Sequence, residues 1–399
     1  MLLRNARIVL PERTAETASI LIEDGRIARI LDRQSDASFK TDRAIDLDGL
    51  TLFPGFIDVH IHGAAGVDTM TASADDLNQV SEFLARHGVT AWMPTLVPSA
   101  DEEYQQSIRA IEQAMGEDPR LQSLPLARVV GVHYEGTFVN SEQCGALHRE
   151  HFRTFKSIAD LDSLPTIKHE SAVHLMTLAP EIEGGTDLIE ALRRRGWIVS
   201  LGHTRATVEV LDAALQAGAR HMTHFMNAMT PLHHREPGPV GWGLIHDEVS
   251  CDVIADGVHL DPAILKLILR SKGPGRISLI SDAVAATGLG DGEFQIWGET
   301  IRVDHGRTQN IRGSIAGSVI TMLDAVRMML SLGATESDAA RMASLNPARL
   351  LGIDDVCGSI QEGKRADLVA IDREGQVRLT LIGGVPAMTN EKWKMENGK

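Results

Sequence analysis

The sequence predicts an α/β fold: a (β/α)8 barrel of the TIM type, with a small β-sandwich domain built from both termini. Three observations carry this. Short apolar or β-branched runs alternate with helix-period segments through the middle of the chain, the mark of βα units around a parallel sheet. The runs number eight, which fits a closed barrel better than an open doubly wound sheet. Both ends of the chain read as short strands separated by Gly-containing or charged turns.

The first run, "FIDVHIH" (56–62), alternates Asp58, His60 and His62 with Ile57, Val59 and Ile61, so the apolar residues are expected to face the surrounding helices and the histidines the barrel mouth. The others are "VTAWMPTLV" (89–97), "ARVVGVHYE" (127–135), "AVHLMTLA" (172–179), "GWIVSLGH" (196–203), "RHMTHFMNA" (220–228), "VSCDVIADG" (249–257) and "ISLISDAV" (277–284). Between the first two, Ser73 with Asp76 three residues on predicts a capping box, with Leu77, Val80 and Leu84 on one helix face. Asp261 followed by Pro262 reads as an N-cap and first-turn proline ahead of Ile264, Leu267 and Ile268. "MLLRNARIVL", "ASILIEDGRIARIL" and "AIDLDGLTL" at the start, with "GSIQEGKRADLVAID" and "VRLTLIGG" at the finish, supply the small domain. The boundaries expected are 54–353 for the barrel and 1–53 with 354–399 for the β domain.

Composition excludes several classes. With 399 residues, 43% of them hydrophobic, the chain reads as a soluble globular protein with a sizeable core. It has no run of about 18 apolar residues, and its N-terminus lacks the order of a secretory signal, so a cytoplasmic location and no membrane are expected. A net charge of -15 argues against nucleic-acid binding. Cys144, Cys251 and Cys357 lie far apart without CxxC spacing and read as buried or incidental thiols.

Ionisable residues recur where these strands end. His60 and His62 close run one, Glu135 run three, His203 run five and His224 run six, while Asp282 lies in run eight. Alone, each is more often structural than a ligand. Together at one barrel rim they are costly to bury except as a charge-compensated cluster. His60 and His62, two apart on a strand, point the same way and can reach one ion. Imidazoles and carboxylates without thiolates suit a divalent metal, Zn2+ first and Fe2+ or Mn2+ as substitutes. Such an ion lowers the pKa of water toward about 7 and polarises a carbonyl, so hydrolysis is the expected chemistry. Asp282 is the candidate for moving the proton.

These segments resemble a known family. "PGFIDVHIHG", "HYEGTFVN", "SLGHTRAT", "THFMNAMTPLHHREPG", "IADGVH", "LISDAVAATG" and "IAGSVITM" are similar, in order, to motifs of the N-acetylglucosamine-6-phosphate deacetylases of the amidohydrolase superfamily, and the likeness continues to "NPARLLG" near the C-terminus. The resemblance implies that Glu135, His203 and His224 hold the principal metal and that His60 and His62 hold a second ion, with Glu135 bridging. It implies removal of acetate from the 2-acetamido group of an amino-sugar phosphate, with Asp282 passing a proton to the departing amine. It further implies Asn227, Ala228, Arg235 and His259 as phosphate-binding residues, and a homodimer in which the loop after run six reaches the neighbouring subunit. One departure stands out: the family usually has Gly-Ala-His after the metal-binding Glu, whereas "CGALHREH" places Leu147 there and His148 one residue later. His148 is the candidate for the substrate-carbonyl contact. Two rival readings are an amidohydrolase acting on a related N-acyl amino sugar, such as N-acetylgalactosamine 6-phosphate, and a non-catalytic scaffold of the same fold.

Overall fold

The eight apolar runs become consecutive strands of one parallel sheet: β1 (Phe56–Ile61), β2 (Val89–Leu96), β3 (Gly131–Glu135), β4 (Val173–Leu178), β5 (Ile198–Leu201), β6 (His221–Met222), β7 (Ser250–Ile254) and β8 (Ile277–Ile280). This is a computed structural model, and it describes residues 1–32, 43–116, 125–389 and 396–397. β1 pairs with β2, and each later strand pairs with the next. Across the remaining seam the Asp282 N–H donates to the His60 carbonyl at 2.9 Å and the His62 N–H to the Ala283 carbonyl at 2.8 Å, bringing the end of β8 against β1. Helices cover the outside, so β1 and β2 are buried along their whole length, as parallel strands require.

The capping box forms as expected. Asp76 accepts from the Ser73 N–H at 2.9 Å, and Leu77, Val80 and Leu84 are buried. Asp261 caps the helix Pro262–Lys272, accepting from the Ala263 N–H at 2.7 Å, but that helix buries Leu265 and Ile268 while Leu267 is 45% exposed. Ile264 and Ile268 pack inward as expected, and Leu265 takes the place expected of Leu267.

Two other expectations are corrected. The alternation of β1 is interrupted by a register shift against β2 between Asp58 and Ile61. Ile61 packs in the large core shared with the outer helices, whereas Ile57 and Val59 join Ala91, Met93, Leu175, Ile254 and Ile280 in a separate cluster with Ala348 and Leu351. The sixth run is a strand only at His221–Met222, because His224 (φ 29°) and Met226 (φ 76°) leave extended geometry.

The termini meet in one hydrogen-bonded sheet. Thr51–Pro54, directly before β1, pairs with Leu368–Ile371 on one side and with Leu2–Val9 on the other, and Leu3, Ile8, Ile20, Leu52, Leu368 and Leu381 fill its core. The parts of the expected small domain that fall on 33–42, 390–395 and 398–399 lie outside the described residues. The sequence reading passed over a three-stranded unit after β8: Gly292–Ile296, Glu299–Asp304 and Arg307–Asn310. Its signal was two X-Gly turns, Trp297-Gly298 and His305-Gly306, each with positive φ at both residues.

Candidate active site

One layer of the barrel interior next to the site is polar, beside the apolar cluster of Ile57, Val59, Leu175, Ile254 and Ile280. His133 Nε2 lies 2.7 Å from Thr177 Oγ1, which lies 2.6 Å from Thr223 Oγ1, itself 2.5 Å from Ser200 Oγ. Every member is buried and paired, so the network fixes one arrangement without orphaned groups. His60 stacks edge-on over His133 with ring centroids 4.5 Å apart. Burial, helped by the neighbouring His60, pushes the His133 imidazole well below its usual range, leaving it neutral beside the cluster.

Above this layer, ligand-type atoms converge. Glu135 Oε1 lies 3.0 Å from His224 Nε2 and 3.1 Å from His203 Nε2, while Oε2 lies 3.3 Å from His62 Nε2. The Nε2 atoms of His203 and His224 are 3.0 Å apart, and those of His60 and His62 are 3.2 Å apart. Asp282 Oδ1 sits 3.2 Å from His62 Nε2 and 3.3 Å from His60 Nε2. Glu135 therefore belongs to two triads, one with His60 and His62 and one with His203 and His224.

Backbone geometry turns these side chains inward. His203 (φ 48°), His224 (φ 29°) and Asp282 (φ 51°) all adopt positive φ at or just beyond strand ends, a conformation that L-residues hold only when the surroundings impose it. Asp252 on β7 imposes it on His224, accepting a short hydrogen bond from its backbone N–H. The segment after the extra hairpin braces Asp282: the Ser318 N–H donates to its carbonyl at 2.7 Å. Gly317 permits that approach, since a Cβ there would lie 2.8 Å from the Asp282 carbonyl oxygen and 2.5 Å from Val284.

The donor set fits a divalent ion. The His203 Nδ1–H donates to the Gln143 carbonyl at 2.8 Å, which leaves its Nε2 lone pair facing the cluster. Four imidazole Nε2 atoms directed at each other and at two carboxylates are stable only with shared protons or a cation between them. Burial lowers the His62 imidazole, but Asp282 and Glu135 outweigh it and lift it to about 10; the same balance with Glu135 lifts His224 to about 9. Burial raises the Glu135 carboxyl, and His60, His203 and His224 overcome this and hold it well below the carboxylate range. Asp282 is likewise held low by His60 and His62 against its burial.

A pH dependence follows for the metal-free protein. His62 and His224 have folded values above the unfolded 6.5, so their contribution to stability is present below pH 6.5 and is lost as pH rises through about 9 and 10. Metal requires the deprotonated ligands and gains with rising pH. The difference in Tm between metal-loaded and chelator-treated protein is therefore expected to widen from pH 6 to pH 9 in thermal melts. A constant difference would contradict the assignment.

The cluster opens into a cavity of about 250 Å³ lined by His62, Glu135, His203, His224 and Asp282, with Asn227, Ala228 and His259. The His259 Nδ1–H donates to Asp256 Oδ2 at 2.6 Å, which orients that ring. Two expected substrate residues lie elsewhere. His148 does not line the cavity: Leu147 is buried in its wall, and His148 turns to Glu150 and Glu299 at 3.3 and 3.4 Å. Arg235 is exposed on the loop after β6 and contacts His234 at 2.6 Å, outside the cavity of its own chain. Sequence reasoning did not find Trp297, whose ring stands edge-on to His62 at 4.9 Å. A larger cavity of about 640 Å³, between the start of β3 and the terminal sheet, holds none of the candidate residues.

Comparison with known proteins places the chain in a family. A profile of the amidohydrolase family matches residues 51–387. The chain is 37% identical over 383 residues to an N-acetylgalactosamine-6-phosphate deacetylase of Escherichia coli O157:H7, covering 96% of this chain and 98% of that protein. It is 35% identical over 389 residues to an N-acetylglucosamine-6-phosphate deacetylase of Bacillus subtilis (strain 168), covering 96% of each. The crystal structure of the N-acetylglucosamine-6-phosphate deacetylase of Thermotoga maritima superposes with a TM-score of 0.86 at 32% identity, over 98% of this chain and 100% of that one. A mutant of the Mycobacterium smegmatis deacetylase, in complex with N-acetyl-D-glucosamine-6-phosphate, gives 0.88 at 29% identity, over 98% and 99%. The chain belongs to the N-acetylglucosamine-6-phosphate deacetylase family of the amidohydrolase superfamily.

Proposed function

We propose that this protein hydrolyses the acetamido group of N-acetylglucosamine 6-phosphate, releasing acetate and glucosamine 6-phosphate. The observation that carries the reading is Asp282 Oδ1, 3.2 Å from His62 and 3.3 Å from His60, in a cavity shared with Asn227, Ala228 and His259. Glu135, His203 and His224 would hold one divalent ion, and His60 and His62, with Glu135 shared, a second; Zn2+ suits these donors, with Fe2+ or Mn2+ as substitutes. Bound there, the ion supplies an activated water and polarises the amide carbonyl. Asp282, kept ionised by its histidine neighbours, takes the proton from the attacking water and returns it to the amine nitrogen as the C–N bond breaks.

The phosphate end is assigned to His259, oriented by Asp256, and to the turn carrying Asn227 and Ala228. Arg235, outside the cavity of its own chain, would serve the phosphate of a neighbouring copy in a homodimer. A phosphorylated sugar substrate and three free cysteines support a cytoplasmic enzyme of amino-sugar catabolism.

N-acetylgalactosamine 6-phosphate is the second reading, favoured by the 37% identical relative that bears that name. The test is a deacetylation assay over N-acetylglucosamine and N-acetylgalactosamine, each with and without the 6-phosphate, after metal quantification. The expected result is a strong preference for phosphorylated substrates, with the faster epimer naming the enzyme. Equal turnover without phosphate would overturn the reading.

A further inference from the structure

The turn between Gly292–Ile296 and Glu299–Asp304 consists of Trp297 and Gly298, with φ of 51° and 72°. A two-residue turn of this hand accepts Asn-Gly or Asp-Gly readily, and a bulky aromatic at its first position is strained. The surroundings hold it there. The Trp297 N–H donates to Asp68 Oδ2 at 3.5 Å, and the indole stands edge-on to His62 and lines the cavity. Arg312 ties the hairpin to the loop after β3, donating to the Ala146 carbonyl at 2.8 Å and pairing with Glu299 at 3.2 Å. That loop brings Leu147, 3% exposed, into the same cavity wall.

The result is an apolar wall beside the reacting centre. Asn227, Ala228 and His259, which follow β6 and β7, line the same cavity. An N-acyl sugar phosphate with its amide at Asp282, 3.2 Å from His62, would have its acyl chain beside Trp297, which stands against the same histidine, in a cavity that Leu147 also lines. We propose that Trp297 and Leu147 form the acyl pocket and restrict it to short chains, acetyl ahead of propionyl; this rests on the amide-hydrolase reading of the same cavity. Strain in the turn is then the structural counterpart of a wall placed for selectivity.

The test compares kcat/KM for N-acetyl-, N-propionyl- and N-butyrylglucosamine 6-phosphate in the wild-type protein, Trp297→Gly and Leu147→Ala. One methylene in an apolar pocket is discriminated by about 10- to 200-fold, and the wild type is expected to prefer acetyl over propionyl within that range. Trp297→Gly suits the positive φ and removes the wall, and the preference is expected to fall by about tenfold or more. Leu147→Ala opens the same wall without touching the turn and is expected to shift the ratio in the same direction. Active variants that both retain the wild-type ratio would overturn the pocket alone. A wild-type protein that hydrolyses none of the three amides would overturn the functional reading and the pocket with it.

Discussion

Asp282→Asn is expected to lower the deacetylation rate by about 100- to 10,000-fold, the usual contribution of a positioned acid–base group, while bound metal stays at the wild-type level. Asparagine keeps the shape and one oxygen but accepts no proton. The backbone bonds to His60 and Ser318 that hold position 282 do not involve the side chain, so the fold is expected to survive. Metal analysis beside steady-state kinetics separates the two roles. Loss of metal in step with activity would make Asp282 a ligand first and a base second.

Glu135→Gln is expected to remove both metal sites together. One carboxylate faces His203 and His224 through Oε1 and His62 through Oε2, so neutralising it removes the charge shared by both histidine pairs. Breaking a buried charged arrangement by removing one partner costs about 3–5 kcal/mol, which corresponds to roughly 100- to 5,000-fold weaker metal binding. Competition with a chromogenic chelator measures this directly, and circular dichroism checks that the protein remains folded. Retention of one tightly held ion would show that the two histidine pairs do not share Glu135.

The barrel was legible because eight runs with two buried faces and helix-period segments between them leave few alternatives. His60, His62, Glu135, His203, His224 and Asp282 were legible for a related reason: ionisable residues at successive strand ends have one common destination. What escaped depends on side-chain direction and on contacts remote in sequence. Nothing in "CGALHREH" reveals that His148 finds Glu299 on a hairpin far along the chain, and nothing local to Trp297 reveals His62 as its neighbour. The shortened β6 and the register shift in β1 arise where the backbone leaves regular geometry to aim a histidine, and periodicity is blind to that.

The sheet built from both ends couples the first barrel strand to the order of synthesis. Thr51–Pro54 leads through Gly55 into β1, yet its partner Leu368–Ile371 emerges only after the whole barrel has been made. At about 5–20 residues per second, the N-terminal strands wait roughly a quarter of a minute to a minute with an unpaired edge. Leu2–Val9 and Thr14–Glu23 pair with each other in that interval but have no cover over Leu52. The nascent chain thus presents an apolar open edge that invites chaperone binding, and the segment leading into the strand bearing His60 and His62 is paired only once Leu368–Ile371 has emerged.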